Sequence, residues 1–393
     1  MQRYKTLLLA LVLILLSFQA DAAEIDPNSI ETVWSYTKDD SEATFWKLDW
    51  SPDGEYVAAV FFDNICTILD SDDGTVVKII DMNDYVTRCD GFAPDGTMPL
   101  RTCAFSPDGR YLATGGDDLQ VRIFNTETWE LERTFLGHSG SILCLDFSPD
   151  SKYLASGSGT DKVIPQNAGE NLTRIWNLET GRQELVLEGH LDGVLAVDWS
   201  DDGTMLATAS DDRTLKVWSF PQGDILHSMK GHTSGLLDTD WSNDGERLYT
   251  GSRDYKIKVW DWKNESELMS WPDYNCVRSV QVHPEGDYIA TSGVDLTLKI
   301  RDVESGSELK VIKDGVDHKA MVMLSRWSPD GERLVSGLGK SHTVIMYDFG
   351  GSSTADNGVD TTTVTIIVLS IIGLIGTALI MYPAIREIRR RRD

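Results

Sequence analysis

Short runs in which apolar and polar residues alternate mark most of the chain between Ile30 and Phe349. The clearest stretch is Gly189 to Trp218. There VLAVDW, MLATAS and TLKVW each read as a strand, joined by the turn sequences SDDG (Ser200 to Gly203) and Asp211-Asp212-Arg213. Three strands joined in this way form a meander, and Gly231 to Asp261 repeats it 42 residues further on. A sheet so small cannot bury its apolar faces alone, so the repetition predicts neighbouring sheets stacked against it. A recurrent turn marker sets their number. SPDG or a close variant begins at Ser51, Ser106, Ser148, Ser200, Ser242, His283 and Ser328, at intervals of 55, 42, 52, 42, 41 and 45. FAPDG (Phe92 to Gly96) is set aside as a marker because no strand like YLATGG follows it. Seven markers therefore predict seven sheets. The last repeat ends at Val344 to Phe349 without a fourth strand, while IETVWSYT (Ile30 to Thr37) stands alone before the first. Pairing that strand with the last sheet closes the ring and leaves only short, protected edges.

The two clearest repeats also share a polar set. His190, Thr208, Asp212 and Trp218 correspond to His232, Thr250, Asp254 and Trp260. In both, the Asp stands six residues before the Trp and the Thr four before the Asp. With the Gly-His opener, the literal Trp260-Asp261 pair and the period, these residues resemble WD40 repeats. The resemblance covers residues 30–349, is strongest over 131–262, and implies an all-β, seven-bladed propeller closed by an N-terminal strand. It also implies that the Asp of the second hairpin turn bridges to the His, the Thr and the Trp. That role is structural, since a buried carboxylate is tolerable only when hydrogen-bonded on several sides. Other repeats depart from the pattern. Phe124 stands where Trp is expected in blade 2, and Arg301 does so beside Thr291 and Asp295 in blade 6. Blade 3 has His138, Ser156 and Trp176, with an insertion disturbing the Asp position, and blade 1 lacks the set.

Two insertions interrupt the period, one within 82–99 and one over Gly159 to Glu170. In the topology that the resemblance implies, both lie on one face, on adjacent blades. Loops on a rigid scaffold carry function while the repeats build it. Asp84, Tyr85, Arg88, Asp90, Phe92, Asp161, Lys162 and Gln166 are therefore candidate partner contacts.

The ends of the chain differ from its body. Residues 1–22 place Arg3 and Lys5 before an apolar run, Leu7 to Phe18, and end in Ala20-Asp21-Ala22, which predicts a signal peptide cut before Ala23. Residues 23–349 are the propeller and 350–363 a polar linker. Residues 364–382 are uncharged over a length that spans a bilayer core, and Arg386 and Arg389 to Arg392 follow in the basic tail 383–393. The expectation is a single-pass protein with its C-terminus in the cytoplasm and its propeller on the extracytoplasmic side. The net charge of −26 belongs to the body, because the C-terminal end is basic. Such a body repels nucleic acid, and no nucleic-acid partner is expected. A translocated domain makes Asn171-Leu172-Thr173 and Asn264-Glu265-Ser266 glycosylation sequons, with Asn171 expected to be the better exposed. Five cysteines leave two states open: a Cys89–Cys103 bridge pinning the first insertion, or a fully reduced set.

No catalytic constellation is present. The chain lacks GxSxG, HExxH and an EF-hand loop, and Asp70 to Gly74 is a strand-joining turn. Gly339-Lys340-Ser341 ends like a phosphate-binding loop, but Leu334 occupies the position of its first Gly. The histidines and cysteines show no metal-ligand spacing, so no cofactor or metal is expected. Trp50, Trp199, Trp241 and Trp327 end inner strands and read as core. The expected function is a non-catalytic platform for protein partners. The alternative is an envelope enzyme or enzyme accessory subunit that uses the channel, and a third reading is a structural or adhesive surface element.

Overall fold

The computed structural model of the chain describes residues 30–38, 44–85, 98–159, 170–313, 321–339 and 341–349. Their strands form seven antiparallel sheets of four. Blade 1 is typical. Its inner strand Phe45–Trp50 pairs with Tyr56–Phe61, then Ile65–Asp70, then the outer Val76–Asp81. In blade 7 the strands Val322–Trp327, Arg333–Leu338 and Thr343–Asp348 are completed by Glu31–Thr37, in a register running from Glu31↔Asp348 to Thr37↔Thr343. The ring is thus closed by pairing the first strand with the last, and no long edge is left to recruit another chain.

The burial pattern explains why these segments are strands that stack. Second and third strands such as MLATAS and TLKVWS are buried on both faces, whereas outer strands such as ILHSMK are half exposed. The core is accordingly a series of layers between blades. Ala207, Leu215, Val217 and Met229 of blade 4 pack against Leu236, Trp241, Leu248 and Trp260 of blade 5, and Phe45 and Phe61 of blade 1 against Val335 and Met346 of blade 7. Trp50, Trp199, Trp241 and Trp327 are all buried there.

The marker turns have a common construction. Ser51, Ser106, Ser148, Ser200, Ser242 and Ser328 each donate Oγ–H to the Asp two residues on, at 2.5–2.8 Å, while accepting the backbone N–H five residues on. In the sixth blade His283 replaces Ser. Its Nδ1 accepts the Glu285 N–H at 3.1 Å and its Nε2 donates to the Gly331 carbonyl of the next blade at 3.0 Å.

Residues 1–29 and 350–393 lie outside the described residues, and with them the expected signal peptide, linker, apolar segment 364–382 and basic tail. Among the described residues no helix is long and apolar enough to cross a membrane. Cys66, Cys103 and Cys144 are buried free thiols and Cys276 is a half-buried one. Cys103 Sγ lies 3.8 Å from the Ala58 carbonyl, so of the two states open for Cys103 the structure holds the reduced one. Cys89 is outside the described residues.

Candidate binding face and axial channel

Three blades carry a chain of hydrogen bonds running from the buried indole to the rim. In blade 4, Trp218 Nε1 donates to Thr208 Oγ1 at 2.8 Å, and Thr208 meets His190 Nε2 at 2.8 Å. His190 Nδ1 lies 2.9 Å from Asp212 Oδ2. Because an indole can only donate, the direction follows: the Thr208 hydroxyl donates to Nε2, and Nδ1–H donates to the carboxylate. Asp212 also accepts from the Leu191 and Thr214 N–H groups, both at 2.9 Å. Burial opposes its ionisation, but His190 and these donors hold its carboxyl well below the usual range. Blade 5 repeats the chain with Trp260, Thr250, His232 and Asp254 at 2.9, 2.8 and 2.9 Å.

Blade 3 uses a residue that the spacing rule could have found. Glu170 stands six before Trp176, and its Oε1 lies 2.7 Å from His138 Nδ1, beyond Ser156. Burial would raise the Glu170 carboxyl, but hydrogen bonds from His138 and Arg174 hold it at about 2. Blade 6 replaces the chain by ions. Arg301 donates to Asp273 and Glu308, each at 2.9 Å, and Lys299 pairs with Asp273 and Asp295.

A second polar system encircles the axis, also unforeseen. The Asp before the closing aromatic of an inner strand accepts a backbone N–H from the next blade. Asp49 takes that of Phe105 at 2.7 Å, Asp146 that of Trp199 at 2.8 Å, Asp198 that of Trp241 at 2.9 Å and Asp240 that of Val282 at 2.6 Å. Gln281 does the same for Trp327 at 2.6 Å. Blade 2 has Ala104 at this position and blade 7 has Arg326, which reaches Asp238 at 3.3 Å. Burial pushes the Asp146 and Asp240 carboxyls up to about 7, with neighbouring aspartates adding to it, and raises Asp49 and Asp198 too. Among the described residues no His, Cys, Asp or Glu group is arranged to hold a metal.

The channel mouth has its own seven-fold construction. Every inner strand skips one residue in its register with the second strand, and that extra residue faces the mouth. Blades 3, 4 and 5 supply Leu143, Leu195 and Leu237. Blades 7 and 1 supply Met323 and Trp46, and blades 2 and 6 supply Arg101 and Arg278. They line a cavity of about 450 Å³.

The two faces of the ring differ. The face where inner strands end carries the polar marker turns, and among its described loop residues no large apolar side chain is exposed. The face where they begin holds the mouth and the described ends of both insertions. It exposes Leu191 (86%), Tyr274 (83%), Leu136 (69%) and Tyr255 (49%). Exposed apolar groups gathered on one face mark interaction surfaces. Of the predicted contacts, Asp84 is exposed on this face in the 3-10 turn Met82–Asp84. Tyr85 is half-buried, its ring 5.5 Å from that of Phe124 and packed against the layer between blades 1 and 2. Arg88, Asp90, Phe92, Asp161, Lys162 and Gln166 lie outside the described residues. Asn264 is exposed, whereas Asn171 is half-buried with its Oδ1 enclosed, the reverse of the expected order.

Comparison with known proteins agrees with this architecture. The family model described as WD domain, G-beta repeat matches residues 74–125, 129–164, 181–219, 223–261, 266–302 and 310–348. Most matched segments run from the outer strand of one blade to the third strand of the next, the same offset that lets the first strand close the ring. A model of the anaphase-promoting complex subunit 4 WD40 domain matches residues 12–93. Protein tipD of Dictyostelium discoideum is 27% identical over 283 residues, covering 67% of this chain. The chain spans 44% of the length of that relative. With repeats matched over more than half its length and built as seven four-stranded blades, the chain belongs to the WD40 repeat family.

Proposed function

We propose that this protein is a membrane-anchored interaction platform that presents the loop face of its propeller to a protein partner. WD40 propellers are typically such platforms and generally non-catalytic. The observation that carries the reading is the asymmetry of the faces: Leu191, Tyr274, Leu136 and Tyr255 are exposed around the mouth, while the opposite loops are polar. The hydrogen-bonded His and Asp groups of the blade edges are consumed in holding strands together, which leaves them no role on a substrate.

The anchoring half of the proposal rests on sequence. A signal peptide over 1–22, the uncharged segment 364–382 and the arginines after it would deliver the propeller across a membrane and stop transfer there. Asn264 would then be the accessible glycosylation site and Asn171 the shielded one. The test uses the full-length chain in native membranes, cross-linked and purified beside a variant with 82–99 and 160–169 replaced by short turns. A protein captured by the first and lost from the second supports the platform and its face. Equal capture by both would remove the loops from the interaction.

A further inference from the structure

The mouth of the channel carries a charge that no carboxylate among the described residues answers. Arg101 is held by Asp117 through Nε at 3.0 Å and Nη2 at 2.8 Å, over the ring of Trp46 at 4.5 Å. Arg253 is paired with Asp211. Lys47 feels Arg326 most strongly but also Asp238, and it acts on Asp49 of the axial ring below. Among the described residues Arg278 has no such partner. It is half-buried and its Nε is enclosed without a hydrogen bond. The charge acting on it most strongly is the guanidinium of Arg253, of the same sign. The chain has 62 acidic and 36 basic residues, so carboxylates were abundant, yet none among the described residues meets Arg278. A half-buried cation whose Nε is enclosed without a hydrogen bond adds nothing to the fold, so stability does not account for it.

We propose that Arg278 anchors the carboxylate of an acidic residue on a peptide segment of a protein partner, with an adjoining apolar side chain lying along Leu237, Leu195 and Leu143. A planar guanidinium takes a carboxylate through two parallel hydrogen bonds. One unanswered positive charge matches a monoanion, whereas a phosphate carries nearly two negative charges. The three leucines run over blades 5, 4 and 3 from the blade beside Arg278, so anchor and apolar arc are contiguous. The exposed Leu191, Tyr255 and Tyr274 continue the apolar surface outward, as suits a segment of a larger partner. The proposal rests on the platform reading and names the chemistry of its ligand.

The test immobilises the full-length protein in detergent. It is exposed to peptide pools that are random except for a fixed central glutamate, glutamine or phosphoserine. Retention of the glutamate pool over the glutamine pool should be roughly tenfold or more, the value of a charge-assisted hydrogen bond. Arg278→Met should bring that ratio to about one without lowering the thermal midpoint, and Arg278→Lys should keep part of it. The proposal is overturned if the wild-type protein does not discriminate, if the Met variant still does, or if the phosphoserine pool is strongly preferred. It is overturned equally if Arg278→Met lowers the midpoint by several degrees, which would assign the residue to the fold. Native partners still captured by Arg278→Met would remove this pocket and leave the platform standing. Capture of nothing by the wild-type chain would remove both.

Discussion

The aspartates of the blade edges and those of the axial ring are the same side chain under opposite conditions. At the edge, Asp212 faces His190, the Leu191 and Thr214 N–H groups and the Thr214 hydroxyl, Asp254 faces His232 and the Thr233 N–H, and their carboxyls are held low. On the axis, Asp49, Asp146, Asp198 and Asp240 are half-buried, each accepts a backbone N–H from the next blade, and burial raises their carboxyls. Burial disfavours the charge in both places. What differs is the set of donors, with a histidine only at the edge, and on the axis Asp146, Asp198 and Asp240 also have aspartate neighbours. The edge networks thus stabilise the blade through an ionised carboxylate, while the ring joins blades through acceptors that are better neutral.

Three experiments would break or sharpen that contrast. The largest effect is expected from Trp218→Ala, which removes both the packing of an enclosed indole and the donor that orients Thr208. Denaturant unfolding should show a loss of about 3–5 kcal/mol. A loss below about 1 kcal/mol would mean that the edge network holds nothing together. Next comes a matched pair measured near pH 8. Asp212→Asn should cost about 1.5–3 kcal/mol by removing charge-assisted bonds from His190 and Thr214. Asp198→Asn should be neutral or stabilising, within about 1 kcal/mol, because an amide oxygen still accepts the Trp241 N–H without the charge. Equal losses in the two variants would erase the distinction.

The smallest effect is the pH dependence of the thermal midpoint. Asp146 and Asp240 titrate at about 7 in the folded chain against 3.8 in an open one, so the folded state binds more protons between those values. Their contribution is complete below the unfolded pKa and is lost as pH rises through about 7. Glu170, held at about 2, and the lowered His138 and His232 have the opposite sign and lose their contribution only as pH falls. The unfolded histidines protonate near 6.5 and oppose the ring over the lower part of this range, so the ring is isolated by comparing the protein with Asp146→Asn, which leaves the histidines unchanged. From about pH 8.5 to pH 6.5 the midpoint of the wild-type protein should move upward relative to that of Asp146→Asn by about 1–3 °C. Parallel curves for the two proteins over this interval would contradict a raised Asp146 carboxyl.

The blade count and the closing strand were legible because each depends on short-range pattern. SPDG turns, period-two runs and an unpaired IETVWSYT can be counted without knowing what packs on what. Glu170 is legible too, six residues before Trp176, although it is a Glu where the other blades have Asp and it ends an insertion. The ring left only a partial trace. Asp49-Trp50, Asp146-Phe147, Asp198-Trp199 and Asp240-Trp241 recur in the sequence, yet the N–H that each Asp meets lies on another blade. Arg101 and Arg278 look alike in sequence, and only the fold gives one of them Asp117 and leaves the other alone. Leu191 and Tyr274 are core types by composition, and only their place in the connections between blades exposes them.

By itself, then, the sequence determined the strands, their turns and the number of blades, since backbone preference and apolar alternation act over a few residues. Tertiary structure decided which carboxyls are raised, which cation lacks a partner among the described residues and which face is apolar. Those properties depend on distances between blades some forty residues apart in the chain, and closing the ring is what sets them.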